Sequence, residues 1–338
     1  MDEGIFDAQL IPVTILTGFL GAGKTTLLNR ILHEEHGRKI AVIENEFGEE
    51  DVDSSLLVQT DKESIVSMSN GCICCTIRGD LSKVFTDLRH KRDKGELSFE
   101  RVIIETTGVA NPGPVAQTFF MDDAVASYYR LDAVVTLVDA KHGGDALDKE
   151  PEAQAQVGFA DRIYITKKDL VSQEAYDELK ARLRAMNPRA PIKEANMGEV
   201  DVSEVLDVEG FNISDVLDID PDFLTETGHH HHHGDEIGSF IYESEMPFDP
   251  YKLERFWGMV AATYGPDLLR YKGVLYMKGT DRKMILQGVH MLCGADLAGP
   301  WGDEKPASKM VFIGRNLPRQ AIVTGLDMCL ADGSDQGF

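Results

Sequence analysis

The sequence predicts an α/β protein, with a P-loop NTPase domain on a mostly parallel sheet followed by a smaller α+β domain. Three observations carry this prediction. Short β-branched apolar runs alternate with helical patterns through the first two hundred residues, as in βαβ units. A glycine-rich phosphate-binding motif follows the first run, and strand-like runs outnumber helical ones after residue 237.

The apolar runs predict individual elements. Those of the first domain predict strands at Val13–Leu16, Ile40–Ile43, Ile65–Met68, Val102–Ile104, Ala133–Val138 and Ile163–Ile165. Its predicted helices include Thr25–His36, Leu81–Lys91 and Gln173–Met186. The second domain is expected to have strands at Ser239–Glu243, Leu269–Met277, Met284–Leu292 and Met310–Ile313, and a helix at Tyr251–Thr263. Parallel sheets bind ligands at the carboxyl ends of their strands, so the residues directly after each strand are the candidates for chemistry.

An acidic segment divides the chain. Asp and Glu become dense after residue 200, and five consecutive histidines, His229 to His233, follow. We predict a P-loop domain at 1–205, an acidic, His-rich linker at 206–236 and an α+β domain at 237–335. Because imidazoles bind Zn²⁺, Ni²⁺ and Cu²⁺, the histidine tract either collects metal loosely or is a solvated linker without a role.

The formal net charge of −23 argues against some partners. Such a surface repels phosphate backbones and anionic lipid, so neither nucleic acid nor a membrane is an expected partner. No apolar run reaches the roughly 18 residues that span a bilayer, and the first residues lack the features of a signal peptide. We expect a cytoplasmic protein with reduced cysteines. Two of the five, Cys293 and Cys329, lack neighbouring ligands and are predicted to be packing residues.

The clearest motif is the phosphate loop. The segment Gly18-Phe19-Leu20-Gly21-Ala22-Gly23-Lys24-Thr25 matches G-x-x-x-x-G-K-[ST] between a strand and a helix. Its backbone N–H groups are expected to curl around phosphates at the positive helix N-terminus. Lys24 should reach the β- and γ-phosphates, and the Thr25 hydroxyl should ligate Mg²⁺. The predicted nucleotide contacts of this segment are Gly18, Gly21, Ala22, Gly23, Lys24, Thr25 and Thr26.

A second motif ends the predicted strand Val102–Ile104. Glu105 follows it directly, in the Walker B position that usually carries Asp, and Thr106-Thr107-Gly108 comes next. Glu105 is expected to hold Mg²⁺ through a water, and the Gly108 amide to sense the γ-phosphate.

A third motif, Thr166-Lys167-Lys168-Asp169, follows the predicted strand Ile163–Ile165. The Asp169 carboxylate can accept hydrogen bonds from the N1–H and 2-amino group of guanine, which adenine lacks. Thr166, Lys167 and Asp169 are therefore predicted to bind the base of GTP, although the usual signature begins with Asn. The other interpretation is a Lys-Lys-Asp turn that caps the next helix.

Three thiols, Cys72, Cys74 and Cys75, crowd into four residues after the predicted strand Ile65–Met68. Thiolates favour Zn²⁺ and Cu⁺, and one cluster of this kind leaves a tetrahedral site incomplete. An incomplete, accessible site suits a metal in transit. The alternative is that small cysteines pack a tight turn beside the phosphate loop.

The acidic segment from Glu44 to Asp53 follows the second predicted strand, in the position of a switch I loop. Its first six residues hold candidates for the missing metal ligand, and the alternative is a solvated acidic loop. If the segment contacts both the Mg·nucleotide and the thiols, the γ-phosphate alters metal affinity. By linkage, the metal then alters nucleotide affinity by the same factor.

The order of these motifs resembles that of the CobW-type GTPases. The motifs that carry the likeness are the P-loop, Glu44-Asn45-Glu46-Phe47-Gly48-Glu49, Gly71-Cys72-Ile73-Cys74-Cys75, Glu105-Thr106-Thr107-Gly108 and Thr166-Lys167-Lys168-Asp169. The segments Leu269–Gly273 and Trp301–Pro306 are similar to the C-terminal domain of that family, so the likeness covers almost the whole chain.

The resemblance implies a slow, Mg²⁺-dependent GTPase that binds Zn²⁺ (or Co²⁺ or Ni²⁺) and delivers it to an apo-metalloprotein client. The metal ligands that it implies are Cys72, Cys74 and Cys75, with Glu44 and Glu49 as additional ligands. It also implies that Asp53 lies near the attacking water. Some relatives supply a further metal-binding His near Phe119–Asp122, where this chain has Asp122.

Our leading hypothesis is a cytosolic GTPase that acts as a zinc metallochaperone or insertase. The residues expected to support hydrolysis are Lys24, Thr25, Glu105 and Asp53. The sequence has no obvious arginine finger, so slow intrinsic turnover is expected. Two alternatives stay open: a regulatory GTPase whose thiols only sense metal or redox state, and a P-loop kinase of a small metabolite.

Overall fold

The computed structural model describes residues 10–34, 36–45, 64–68, 73–208, 210 and 237–331. Among these residues, none of the helices is long and apolar enough to cross a membrane. The chain forms two compact units, each with its own sheet.

In the described residues, the first unit has a seven-stranded parallel sheet with the order β3-β2-β4-β1-β5-β6-β7. The strands are β1 (Ile11–Gly18), β2 (Ile40–Asn45), β3 (Ser64–Met68), β4 (Arg101–Glu105), β5 (Tyr129–Asp139), β6 (Arg162–Thr166) and β7 (Ile192–Ala195). The central strands β1 and β5 are buried along almost their full length. This burial on both faces explains their continuous apolar runs. The predicted parallel sheet is confirmed.

Helices connect these strands. They are α1 (Lys24–His33), α2 (Ile73–Asp93), α3 (Gly113–Met121), α4 (Asp123–Ala126), α5 (Gly143–Lys149), α6 (Pro151–Phe159), α7 (Gln173–Met186) and α8 (Ser203–Leu206). Sequence patterns identified α1, α2 and α7, which have a polar face. They did not identify α6, because every residue from Ala153 to Phe159 is buried and the helix has no amphipathic period.

The second unit has an antiparallel sheet with the order β11-β10-β9-β12-β8. Its strands are β8 (Ile237–Ser244), β9 (Leu268–Leu275), β10 (Arg282–Val289), β11 (Leu292–Pro300) and β12 (Ser308–Arg315). The helices α9 (Pro250–Tyr264) and α10 (Arg319–Met328) pack on this sheet through a core that includes Trp257, Tyr271 and Phe312. The smaller α+β domain is thus confirmed.

The predicted strand Met284–Leu292 is confirmed as far as Val289, where β10 ends, but its last residues are wrong. The chain turns at His290 and Met291, and β11 begins at Leu292, which pairs directly with Val289. His290 adopts a left-handed φ of 53° in the two-residue turn. Because the turn contains neither Gly nor Asn, the sequence lacks the usual hairpin signal.

The two C-terminal cysteines differ from each other. Cys329 is buried in the core under α9 and α10, as predicted. Cys293 lies on the edge strand β11 and is exposed, so its prediction as a packing residue is wrong. An edge strand has a neighbour on one side only, and the sequence patterns predicted no strand at this position.

An ionic cluster lies where β4 begins. The Arg101 guanidinium donates to Asp132 at 2.9 Å and to Asp207 at 2.6 Å, and Arg38 donates to Asp207 at 2.7 Å. The Arg101 and Asp132 side chains are only 7% and 1% exposed, whereas that of Asp207 is 38% exposed. The hydrogen bond with Arg38, followed by the charge of Arg101, lowers the pKa of the Asp207 carboxyl.

This cluster attaches the chain segment that follows β7. Val205 and Leu206 in α8 are buried, and Asp207 completes the cluster. The packed residues of the first unit therefore continue at least to Asp207, and the predicted domain boundaries stay a prediction. Residues 211–236, with the histidine tract, lie outside the described residues, so the linker stays a prediction.

Removing either acid of the cluster is expected to destabilise the first unit, but unequally. Asp132→Asn leaves the buried Arg101 short of a charge partner and should lower the free energy of unfolding by about 3 kcal/mol. Asp207→Asn should cost about 1 kcal/mol, because water screens its partly exposed pairs. Denaturant unfolding at pH 7 measures both differences, and Asp145→Asn, on an exposed i,i+4 pair, is the control.

The pH dependence of stability shows whether Asp207 stabilises the fold through its charge or through packing. The folded-state pKa of Asp207 lies below its unfolded value of about 3.9, so its stabilisation is fully present at neutral pH and is lost as pH falls through the folded pKa. The stability difference between wild type and Asp207→Asn should therefore shrink below about pH 4. A difference that stays constant down to pH 3 would contradict the ionic explanation.

Candidate functional site

The loop between β1 and α1 depends on glycine for two different reasons. A Cβ on Gly18 would lie 2.3 Å from the Leu137 carbonyl oxygen, so β5 leaves no room for a side chain. Gly21 and Gly23 have open space around them, but their φ angles of 70° and 92° fall in the left-handed region. The loop therefore curls through backbone conformations that favour glycine, and its binding of phosphates stays a prediction.

Lys24 begins α1 and spans the loop that precedes it. Its Nζ donates to the carbonyl oxygens of Gly18 at 3.0 Å and Phe19 at 3.1 Å. The side chain is buried, so the ammonium charge is held beside the loop rather than in bulk water.

The next residue, Thr25, brings its hydroxyl oxygen next to a carboxylate oxygen of Glu105. The Thr25 hydroxyl donates to the Glu105 carboxylate at 2.9 Å, across from α1 to the end of β4. A hydroxyl and a carboxylate oxygen are the hard ligands that Mg²⁺ prefers. The residues present at this point therefore fit the magnesium ion that the sequence predicted.

A second carboxylate lies on the neighbouring strand. Glu44 of β2 is in register with Glu105 of β4, and it is only 6% exposed. Residues paired in register point to the same face of a sheet, on strands about 4.8 Å apart. The carboxylate predicted for Mg²⁺ and one predicted for the transition metal thus start from adjacent backbone positions.

The segment after β4 contacts the phosphate loop. Thr106 Oγ1 donates to Thr17 Oγ1 at 2.7 Å, and the Thr106 amide donates to the Leu16 carbonyl at 3.0 Å. A Cβ on Gly108 would lie 2.5 Å from Leu20 Cα. Only glycine allows this approach, which places the predicted γ-phosphate sensor against the phosphate loop.

The predicted base-binding motif is tied to the same loop. The Thr166 hydroxyl lies 2.9 Å from the Ala22 carbonyl oxygen and 3.3 Å from that of Val138. Threonine in place of the usual Asn therefore still supplies a tether between the two loops. The motif's position beside the phosphate loop favours the base-binding interpretation over a helix cap.

The two lysines of the motif are held by other acids. Lys167 Nζ lies 2.6 Å from Asp139, and Lys168 Nζ lies 2.6 Å from Glu194. Burial by itself raises the pKa of the Asp139 carboxyl, but the Lys167 hydrogen bond and two backbone amides outweigh burial and lower it. The hydrogen bond from Lys168 lowers the pKa of the Glu194 carboxyl. Asp169, in a 3₁₀ turn, is exposed next to these pairs.

The structure also identifies a turn that sequence reasoning missed. Met197 and Gly198 follow β7 with φ angles of 50° and 78°, and Met197 is 79% exposed. Glu199 closes the turn with a hydrogen bond to the Asn196 carbonyl and contacts Arg30 of α1 at 3.6 Å. The sequence signal is limited to Asn196 and Gly198 on either side of a methionine, which is a weak turn signal.

A buried side chain was missed as well. Gln156 of α6 donates from Nε2 to the carbonyl oxygens of Gly108 at 3.2 Å and Ala110 at 2.9 Å. It contacts the segment after β4 from a helix about fifty residues further along the chain. No motif marks it, because the contact exists only in the folded chain.

Part of the predicted metal site falls within the described backbone. The carboxyl ends of β2 and β3 are adjacent, with Asn45 in register with Met68, and the acidic and cysteine segments follow these ends. Cys74 and Cys75 lie in the first turn of α2. Their side chains, and all of Cys72, Glu49 and Asp53, lie outside the described residues. The metal ligand set and the role of Asp53 therefore stay predictions.

Asp122 has a structural role in this chain. It caps α4, accepting hydrogen bonds from the amides of Ala124 at 3.0 Å and Val125 at 3.2 Å. Hydrogen bonding from Ser82 lowers the pKa of its carboxyl.

Two family models match the chain. The model of the CobW/HypB/UreG nucleotide-binding domain matches residues 12–194. The model of the cobalamin synthesis protein CobW C-terminal domain matches residues 237–330. The first match falls on the parallel sheet, and the second falls on the antiparallel sheet.

Individual proteins and a solved structure are similar over nearly the whole chain. The zinc chaperone YjiA of Escherichia coli is 43% identical over 313 residues, which cover 92% of this chain and 96% of that protein. The zinc chaperone CobW of Pseudomonas aeruginosa is 32% identical over 356 residues, covering 95% and 92%. The crystal structure of the Zn(II)-bound YjiA GTPase from E. coli matches with a TM-score of 0.80 and 38% identity, covering 95% of this chain and 99% of that one. The resemblance stated from the motifs is confirmed.

Replacing the Thr25 hydroxyl should uncouple nucleotide binding from Mg²⁺. Thr25→Val removes one of the two oxygen donors and the hydrogen bond to Glu105, so added Mg²⁺ should no longer tighten guanine-nucleotide binding, a loss of about tenfold or more. Fluorescent-nucleotide titrations in Mg²⁺ and in EDTA measure this. Thr25→Ser keeps the hydroxyl and is the matched control. Equal tightening by Mg²⁺ in Thr25→Val and wild type would contradict the assignment.

Proposed function

Because the chain belongs to the CobW/HypB/UreG family, we propose that it is a Mg²⁺-dependent GTPase that carries zinc, or a similar transition metal, and delivers it to an apo-metalloprotein client. One observation carries the proposal: Glu44 and Glu105 are in register at the ends of neighbouring strands. The nucleotide site and the metal-binding segment then share one edge of the sheet, so each can respond to the other.

The first unit binds the phosphates through its loop. A nucleotide offers Lys24 charged oxygens, which are stronger acceptors than the Gly18 and Phe19 carbonyls that it now contacts. Lys24 would therefore move its hydrogen bonds to the β- and γ-phosphates. Thr25 and Glu105 would hold Mg²⁺, which when bound neutralises charge on these phosphates.

Such a site accelerates hydrolysis by positioning the reacting groups and by stabilising charge in the transition state. Phosphoryl transfer needs little covalent help from protein, so the loop amides and Lys24 stabilise charge on the transferred phosphoryl. We assign Asp53 to the attacking water on the family resemblance. Slow intrinsic turnover follows from the lack of an obvious arginine finger in the sequence.

Guanine selection rests on Asp169. Lys167 and Lys168 are each paired with another acid, and Thr166 fixes the motif against the phosphate loop. The exposed Asp169 carboxylate is thereby available to the N1–H and 2-amino donors of guanine. A base without those donors would leave this carboxylate unpaired in the complex, which costs about 1–3 kcal/mol.

The transferred metal would bind the cysteine segment. Cys74 and Cys75 lie at the N-terminus of the 21-residue helix α2. The partial positive charge of a helix N-terminus stabilises thiolates, the form that binds zinc. We propose Cys72, Cys74 and Cys75 as the carriers, with Glu44 and Glu49 as the carboxylate ligands.

The placement of Glu44 beside Glu105 would couple GTP binding to binding of the transferred metal. Glu44, one residue before the end of β2, is in register with the proposed Mg²⁺ ligand Glu105, and the acidic segment follows it in the chain. A γ-phosphate that reorders this segment would change the number of ligands around the transferred metal. Reciprocally, bound metal must change GTP affinity by the same factor.

Asp169→Ala should reduce the preference for GTP over ATP. Two hydrogen bonds from the base to a carboxylate are lost, so GTP affinity should fall by about 10–100-fold while ATP affinity stays unchanged. Competition of GTP and ATP against a labelled GTP analogue measures this. Asp177→Asn, an exposed acid on α7, is the control. If ATP already displaces the analogue from wild type as well as GTP does, Asp169 does not select guanine.

Mg·GTP should change the zinc affinity of wild type by about tenfold, which corresponds to a coupling free energy of about 1.4 kcal/mol. Cys74→Ala should weaken zinc binding and remove this dependence. Titrations of Zn²⁺, Co²⁺ and Ni²⁺ with and without Mg·GTP measure both effects, and Cys293→Ala, an exposed cysteine of the second unit, is the control. Coupling is refuted if nucleotide leaves every metal affinity of wild type unchanged.

The rate of zinc transfer separates a chaperone from a sensor. We expect zinc-loaded protein to pass its metal to a chromophoric chelator faster during GTP turnover than with GDP. Equal release rates, together with nucleotide-dependent affinity, would instead favour a metal-sensing regulatory GTPase.

A further inference from the structure

Gln156 of α6 holds the segment after β4 in a fixed conformation. Its Nε2 donates both hydrogens to that segment, to the carbonyl oxygens of Gly108 at 3.2 Å and Ala110 at 2.9 Å. The side chain is fully buried, and its Oε1 has no hydrogen-bond partner among the described residues. The side-chain amide therefore serves this one segment.

The helix that carries Gln156 is itself anchored. The Thr136 hydroxyl of β5 donates to the Gln156 main-chain carbonyl at 2.9 Å. Gln156 is thus attached to a central strand of the sheet through its backbone and to the segment 106–110 through its side chain. The residue therefore fixes the segment 106–110 relative to the central sheet.

The hydrogen bonds fix the direction of two peptide groups. Ala110 N donates to the Thr107 carbonyl at 3.1 Å, and in a trans peptide the Gly108 N–H points opposite to that carbonyl. By the same geometry, the Gly108 carbonyl bonded to Gln156 turns the Val109 N–H away from α6. Two successive amides beside Leu20 of the phosphate loop are therefore oriented, and such amides form an anion-binding concavity.

We propose that Gln156 is a positioning residue for recognition of the terminal phosphate. It holds the Gly108 and Val109 amides where they can donate to the γ-phosphate, and so favours GTP over GDP. This inference rests on the proposed GTPase function. Because the contacts involve only the segment after β4, the α- and β-phosphates, which bind at the loop Gly18–Thr25, are unaffected.

A purely structural explanation accounts less well for this residue. An apolar side chain would fill a fully buried position without the cost of desolvating an amide. Gln154, two residues earlier on α6, is a buried glutamine whose Nε2 donates to the Leu147 carbonyl at 2.8 Å, at the end of α5. The same helix thus supplies a glutamine of equal chemistry whose bond lies outside the site.

The test compares Gln156→Met with Gln154→Met. Both replace a buried amide by an apolar side chain of similar length, but only the first frees the Gly108 and Ala110 carbonyls. We expect Gln156→Met to weaken binding of a non-hydrolysable GTP analogue with Mg²⁺ by about tenfold, while GDP affinity changes less than about twofold. Gln154→Met should change neither. Calorimetric titration gives the affinities, and thermal unfolding shows whether each variant is folded.

Other outcomes are equally informative. An analogue-to-GDP affinity ratio in Gln156→Met equal to that of wild type would overturn the proposal, as would the same change in Gln154→Met. If Gln156→Met does not fold, Gln156→Glu replaces it, because Glu keeps the shape but retains at most one donor, and the ratio should fall in the same direction. If wild type itself does not prefer GTP to ATP, the proposed function fails instead.

Discussion

The parallel register of β2, β4 and β1 is the constraint on which the site depends. Parallel strands end at one edge of the sheet, so residues distant in the chain arrive there together: Glu44, Glu105 and the phosphate loop after Gly18. The register also decides which side chains share a face. A shift by one residue would turn the Glu44 side chain to the opposite face of the sheet from that of Glu105.

Short polar contacts then fix the loops to one another. Thr106 contacts Thr17, Thr166 contacts Ala22, and Gly108 approaches Leu20 so closely that no side chain fits. All three contacts converge on the phosphate loop or on the strand that leads into it. The segments that we propose to bind the base and the γ-phosphate are thus fixed against the phosphate loop before a ligand binds. Preorganisation of this kind reduces the entropy lost on binding.

The acids at the carboxyl edge of the parallel sheet differ in whether a lysine pairs with them. Asp139 and Glu194 are occupied by the two lysines of the base-binding motif, and Asp169 is exposed beside them. At the opposite ends of the strands, Asp132 and Asp207 are occupied by arginines that attach the segment after β7. Two of the four paired acids, Asp132 and Asp139, are buried, and the paired cations offset the cost of burying their charges.

The sequence by itself determined the elements whose pattern is local. Strand runs, the amphipathic helices, the phosphate loop and the order of its companion motifs follow from residue types at fixed spacing, and the confirmed family likeness rests on them. Only the tertiary structure decided that Glu44 lies beside Glu105, that Gln156 contacts the segment after β4, and that the chain turns back at His290 to pair β10 with β11. Those contacts join residues far apart in sequence, or depend on a turn with no glycine. A spacing pattern reports neighbours along a helix or strand, whereas strand register and helix packing are set by the whole core.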